Sequence, residues 1–125
     1  GEVLMLQRRN PPDFWQSVTG SLEWGETALM AARRELQEET GLDIEVMDCQ
    51  QSHTFPILPA WRARYAPAVT SNLEHVFTAR CHGHPAVSLN PAEHRNFCWL
   101  ARVAAAEGAS SYTNRDAILE HVPAA

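Results

Sequence analysis

The 125-residue chain has little cysteine, and what it has is placed for no bridge or zinc site. Cys49, Cys81 and Cys98 are odd in number, widely spaced and form no Cys-x-x-Cys pair. That excludes a disulfide framework and a zinc ribbon and fits a reducing, cytoplasmic setting. No apolar run approaches the ~20 residues that span a bilayer, and no signal-like n-region and h-region open the chain. A membrane partner is therefore not expected. Net positive charge is also lacking: at −5 the chain has no electrostatic footprint for gripping a nucleic-acid backbone. If its ligand is a polyanion, cations must mediate. Repeats and low-complexity segments are absent too.

What is present is a composition of 45% hydrophobic and 20% charged residues, which suits one globular domain over residues 1–125 with a modest core. The chain opens on Gly1 and enters at once into Val3-Leu4-Met5-Leu6, so a further N-terminal strand is expected upstream. Val3 to Gln7 reads as a buried strand, stopped by the turn chemistry of Arg8-Arg9-Asn10-Pro11-Pro12. Phe14 to Val18 suits another short extended piece. Gly20 to Glu26 reads as a loop. Thr27 can then cap a helix running to Thr40, with Gly41 suited to the left-handed position that closes it. Leu29, Ala32 and Leu36 fall on one helical stripe, expected to pack on a sheet. Leu42 to Cys49, His75 to Cys81 and Phe97 to Leu100 are strand candidates. Residues 55–72 read as a long irregular loop, a place where function often resides. A second helix is expected over Asn114 to His121, capped by Thr113.

Steps of three and four relate Glu35, Glu38 and Glu39, placing their side chains on one helix face beside the apolar stripe. Taken alone, Glu-x-x-Glu-Glu is most simply a solvated face, since like-charge pairs at a surface cost only ~0.2–0.5 kcal/mol. Their company changes that reading. Gly20, five residues, Glu26, seven residues and then Arg34-Glu35-Leu36-Gln37-Glu38-Glu39-Thr40-Gly41-Leu42 form a pattern that closely resembles the Nudix hydrolases. At roughly 7% per position, chance agreement at seven such positions is of order 10⁻⁸.

The pattern has a chemical use. A diphosphate linkage carries negative charges that repel an incoming water. Mg²⁺ neutralises that charge, and as a hard cation it takes carboxylate oxygens together with substrate phosphates. The resemblance implies an α/β (α+β) fold, an α/β/α sandwich with a mixed β-sheet, and Mg²⁺, with Mn²⁺ able to substitute. It makes Glu35, Glu38 and Glu39 metal ligands, with the Gly20 carbonyl as a further oxygen donor. Arg34 falls on the family's arginine and is expected to pair with a carboxylate such as Glu26, fixing the loop against the helix. Glu35 and Glu93 both remain open as general base. Glu93 lies in Asn90-Pro91-Ala92-Glu93-His94, before the Phe97-Cys98-Trp99-Leu100 strand, where relatives often bring a distant glutamate to the metals.

Outside this segment, Val3 to Arg9, Asp13 to Ser21, Asp48 to Gln50, Arg64 to Pro67 and Asn114-Arg115 resemble family members acting on a pterin triphosphate. The resemblance implies cleavage of dihydroneopterin triphosphate to the monophosphate and pyrophosphate. A nucleoside or oxidised-nucleotide triphosphate is the alternative substrate, and a non-catalytic nucleotide or pterin sensor the alternative of another class. The partner expected is thus a small-molecule triphosphate, and the chain a monomer or weak dimer. A flat heteroaromatic ring could lie against Phe55, Trp61 or Tyr65, while Arg8, Arg62 or Arg64 could meet the triphosphate with planar donor forks. Thr19 and Ser111 could add hydroxyl contacts. The stretch from His53 to Trp61 is more proline-rich than this resemblance implies. His82-Gly83-His84 has no third ligand nearby and reads as a surface loop.

Overall fold

The computed structural model describes residues 1–19, 23, 25–56 and 71–123, the side chains of 52–56 and 71–74 excepted. Strand β1 (Glu2–Arg8) forms the centre of a three-stranded sheet, antiparallel to β2 (Trp15–Gln16) on one side and to β5 (His94–Ala101) on the other. A second sheet pairs β3 (Val46–Pro56) with β4 (Ser71–Ala79), again antiparallel. Helix α1 (Ala28–Thr40) packs on β3 and β4, while α2 (Arg102–Gly108) and α3 (Tyr112–His121) pack together, α2 also against β1 and β5. The expected α/β class is observed. The resemblance implied a mixed sheet, but every pairing among the described residues is antiparallel. One reason is the connection from β1 to β2, residues 9–14, which is too short for the crossover that parallel neighbours require.

Met5 and Leu6 point to opposite faces of β1, yet both are fully buried. This sheet is therefore covered on both sides, which is why its central strand reads as a continuous apolar run. On one side Met5 meets Ala105, Ala106 and Ile118, with Trp15, Cys98 and Leu100 packed around them. The alanines of α2 let that helix approach closely. Sequence reading misses α2 because Ala101 offers no side chain to cap it and the helix is only seven residues long. Trp15 packs against this core.

Both ends of α1 are as expected: the Thr27 hydroxyl accepts from Met30 N–H, and Gly41 takes a left-handed conformation at φ 75°. Its inward face differs from expectation. Leu29 is 40% exposed, whereas Ala31, Glu39 and Thr40 are buried. Ala32 and Leu36 are half-buried, as is Glu35, so the inward face is shared by the stripe and the carboxylates and only the Leu29 end of the stripe is exposed. Three further boundaries shift. Strand β3 begins at Val46 rather than Leu42 and runs to Pro56, with a bulge where Gln50 takes φ 54° and its N–H bonds Asp48 Oδ1. Strand β4 begins at Ser71, inside the stretch read as loop. Helix α3 begins two residues early, because Ser111 rather than Thr113 accepts from Asn114 N–H; Thr113 is buried in the first turn.

Candidate metal-binding active site

The loop before α1 is tied to the helix through Arg34. Its Nε and Nη2 donate to the two oxygens of Glu26 at 2.7 and 2.9 Å, a bidentate fork. Glu26 in turn accepts from Glu23 N–H at 2.8 Å. The remaining guanidinium nitrogen reaches along the helix, donating to Glu35 Oε1 at 2.7 Å and Glu38 Oε2 at 3.1 Å. These bonds hold the Glu26 carboxyl below its ordinary pKa and raise that of Arg34. The expected pairing of Arg34 with Glu26 is present as expected.

The three helix carboxylates sit at different depths. Side-chain exposure falls from 50% at Glu38 to 15% at Glu35 and 4% at Glu39. Burial pushes the Glu39 carboxyl up to about 7, with the charges of Glu93, Glu35 and Glu38 acting the same way and Arg8 opposing. Glu35 is likewise raised by burial against the pull of Arg34, with Glu38 and Glu93 adding to the rise. Glu93 is thus electrostatically coupled to both inward glutamates although 54 residues separate it from Glu39 in sequence. Its backbone explains the placement: Arg9 N–H bonds Glu93 O at 2.9 Å, joining the turn before β5 to the end of β1.

Glu39 meets a second partner that sequence reading passes over. His94 is 2% exposed, and its Nδ1 lies 2.7 Å from Glu39 Oε2. Neither atom has a hydrogen-bond partner among the described residues. Burial, then the charge of Arg8, holds His94 below its ordinary pKa, against Glu93. On the far side of the ring, Gln16 Nε2 is 3.5 Å from His94 Nε2. No alternation in β5 announces His94, since Glu93 before it and residues 95–97 after it are all exposed.

The other expected site residues divide by location. Arg8 is buried at 7% exposure, with its charge acting on Glu39 and His94. Thr19 is exposed. Ser111 is the α3 cap, its hydroxyl also 2.8 Å from Thr113 Oγ1. Gly20, Arg62, Arg64 and Tyr65 lie outside the described residues, as do Trp61 and the Phe55 side chain. His84 stacks on Trp99 with ring centroids 4.7 Å apart and contacts Glu2, away from any metal-like set.

Glu35, Glu38, Glu39 and Glu93 offer only anionic oxygens, the donor type that suits a hard divalent cation. As the side chains stand, no three His, Cys, Asp or Glu among the described residues converge on a single ion position. Arg34 accounts for part of this, since it draws Glu35 and Glu38 to itself.

This fold and loop-helix arrangement define a Nudix hydrolase. The chain belongs to the Nudix family, whose NUDIX domain matches residues 1–119; such hydrolases generally use divalent metal ions. It is 48% identical over 126 residues to dihydroneopterin triphosphate diphosphatase of Escherichia coli K12, across 96% of this chain and 82% of that protein. With the Haemophilus influenzae protein of the same name it shares 42% over 127 residues, across 96% and 78%. The solved structure of the E. coli dihydroneopterin triphosphate pyrophosphohydrolase matches with a TM-score of 0.92 at 45% identity, covering 97% of this chain and 85% of that one. Among the described residues no helix is long and apolar enough to cross a membrane.

Proposed function

We propose that this chain splits dihydroneopterin triphosphate into the monophosphate and pyrophosphate, with Mg²⁺ held by Glu35, Glu38, Glu39 and Glu93 and by the Gly20 carbonyl. The observation that carries the reading is that three carboxylates, Glu93, Glu35 and Glu38, bear electrostatically on a buried Glu39 pushed up to about 7, in a chain nearly half identical to diphosphatases of that name. Burial, the larger cause, and mutual repulsion both disfavour the charged carboxylate, and a bound divalent cation relieves them. Mg²⁺, when bound, supplies charge neutralisation at the phosphates and acidifies the attacking water; Mn²⁺ is able to substitute.

The chain's own residues do the rest. Arg34 holds Glu26, and with it the end of the loop, against α1. Glu35 and Glu93 are the two candidates to take the proton from water, both adjoining Glu39 in the acidic cluster. Arg8, whose charge acts at the cluster, is proposed to face the triphosphate together with Arg62 and Arg64. Thr19 and Ser111 are proposed as hydroxyl contacts, and Phe55 and Tyr65 as the ring platform. A cytoplasmic monomer or weak dimer, with its three thiols free, completes the reading.

The test is kcat/KM across a panel of dihydroneopterin triphosphate, dATP and 8-oxo-dGTP with Mg²⁺, because pocket contacts set that ratio. The pterin is expected to lead. A nucleotide faster by about tenfold, a difference of ~1.4 kcal/mol in transition-state binding, would overturn the substrate assignment.

A further inference from the structure

Glu39 is the most deeply buried of the helix carboxylates, and a buried carboxylate must be aimed before it can serve an ion. It projects from α1, whereas the group beside it comes from the first residue of β5. His94 Nδ1 stands 2.7 Å from Glu39 Oε2 in a region where neither atom finds another partner among the described residues. Behind the ring sits Gln16, itself only 4% exposed, whose amide nitrogen faces His94 Nε2 at 3.5 Å. An amide nitrogen only donates, so the ring nitrogen facing it is the acceptor. The single proton of a neutral imidazole is then left on Nδ1, the atom that meets Glu39. The 2.7 Å separation lies within hydrogen-bonding distance.

We infer that His94, oriented by Gln16, is a positioning residue that fixes the Glu39 carboxylate for divalent-cation binding. The inference rests on the ligand role proposed for Glu39 and adds the residues that aim it. Three elements cooperate: β2 sets the tautomer, β5 carries the donor and α1 carries the acceptor. One oxygen of Glu39 is thereby engaged from the protein side, leaving the carboxylate's remaining lone pairs for the ion.

The experiment is Mn²⁺ titration of the full chain without substrate, followed by electron paramagnetic resonance, with metal-free melting curves measured alongside. Loss of such an orienting partner typically weakens metal binding by about 10–100-fold. His94→Ala is expected to weaken Mn²⁺ by that range. His94→Asn, whose amide nitrogen stands near the position of Nδ1, is expected to recover most of it at a melting temperature like that of His94→Ala. Wild-type affinity in His94→Ala would overturn the inference. So would equal weakness in His94→Asn, since packing rather than the donor would then be responsible. Glu39→Gln is titrated in parallel: unchanged Mn²⁺ affinity there sinks the ligand role itself, a failure distinct from that of His94. Should the substituted proteins not fold, ¹⁵N shifts of His94 in the unaltered protein decide the matter. A proton on Nδ1 supports the inference, and a neutral ring protonated on Nε2 overturns it.

Discussion

Arg34 grips both oxygens of Glu26 from eight residues away, at 2.7 and 2.9 Å, and with its remaining nitrogen bonds Glu35 and Glu38. One side chain thus ties the glycine-bearing loop to the helix that carries the carboxylates. A bidentate fork of this kind needs a planar guanidinium, which an ammonium cannot imitate. All 10 of the chain's basic side chains are in fact arginine.

Arg34→Lys should therefore lower kcat/KM by about 10–100-fold, the usual effect of losing a group that orients a metal ligand. The fold should survive, as judged by circular dichroism. Activity within twofold of the unaltered enzyme would show that the fork does not position the loop.

Stability should depend on pH through Glu39. An unfolded glutamate titrates near ~4.3, and in the folded chain burial and neighbouring carboxylates raise Glu39 to about 7. A folded pKa above the unfolded one means that this group's stabilising contribution is full below ~4.3 and is lost as pH rises through about 7. His94 acts oppositely over part of this range, because its folded pKa is depressed. The comparison with Glu39→Gln isolates the carboxylate. Without metal, the unaltered protein should lose melting temperature relative to Glu39→Gln between pH 5 and pH 8. Parallel melting curves across that range would contradict the raised pKa.

The fold buries Met5 of β1 and the alanines of α2 fully and leaves Leu29 exposed. Met5→Ala should cost about 2–5 kcal/mol, as for a fully buried side chain. Leu29→Ala, at a position 40% exposed, should stay within about 0.5 kcal/mol. Urea denaturation of both variants checks the contrast, and equal costs would restore the original stripe.

Gly41 is the stop of α1, held at φ 75° with its N–H bonded to Gln37 O. A methyl group there would also stand 3.3 Å from Ser88 Cβ. Gly41→Ala should lower stability by roughly 1–2 kcal/mol, the cost of a left-handed L-residue. Thermal melting without loss at this position would mean that the turn relaxes freely.

Much of this was legible in the sequence, because local chemistry wrote it. Thr27 and Gly41 bound α1 through their own hydroxyl and glycine backbone, and Arg34 and Glu26 are fixed by spacing along one loop and helix. What escaped depends on contacts between distant segments. Leu29, Ala32 and Leu36 have helical spacing, yet Leu29 is left exposed while Glu39 is buried beside the half-buried Ala32, Glu35 and Leu36. Helix α2 carries no capping side chain to announce it. His94 was visible only as the neighbour of Glu93; its value comes from β5 lying opposite Glu39, a juxtaposition no local pattern records.

The central claim is that the helix carboxylates serve metal-dependent cleavage of a pterin triphosphate. Pyrophosphate release from dihydroneopterin triphosphate with Mg²⁺, compared between the unaltered chain and a folded Glu39→Gln, tests it most directly. Steady release is expected from the unaltered chain and a loss of about 100-fold or more in the variant, removal of a ligand being at least as damaging as removal of its orienting partner. Binding of the triphosphate without release by the unaltered chain, or undiminished turnover in Glu39→Gln, would contradict it.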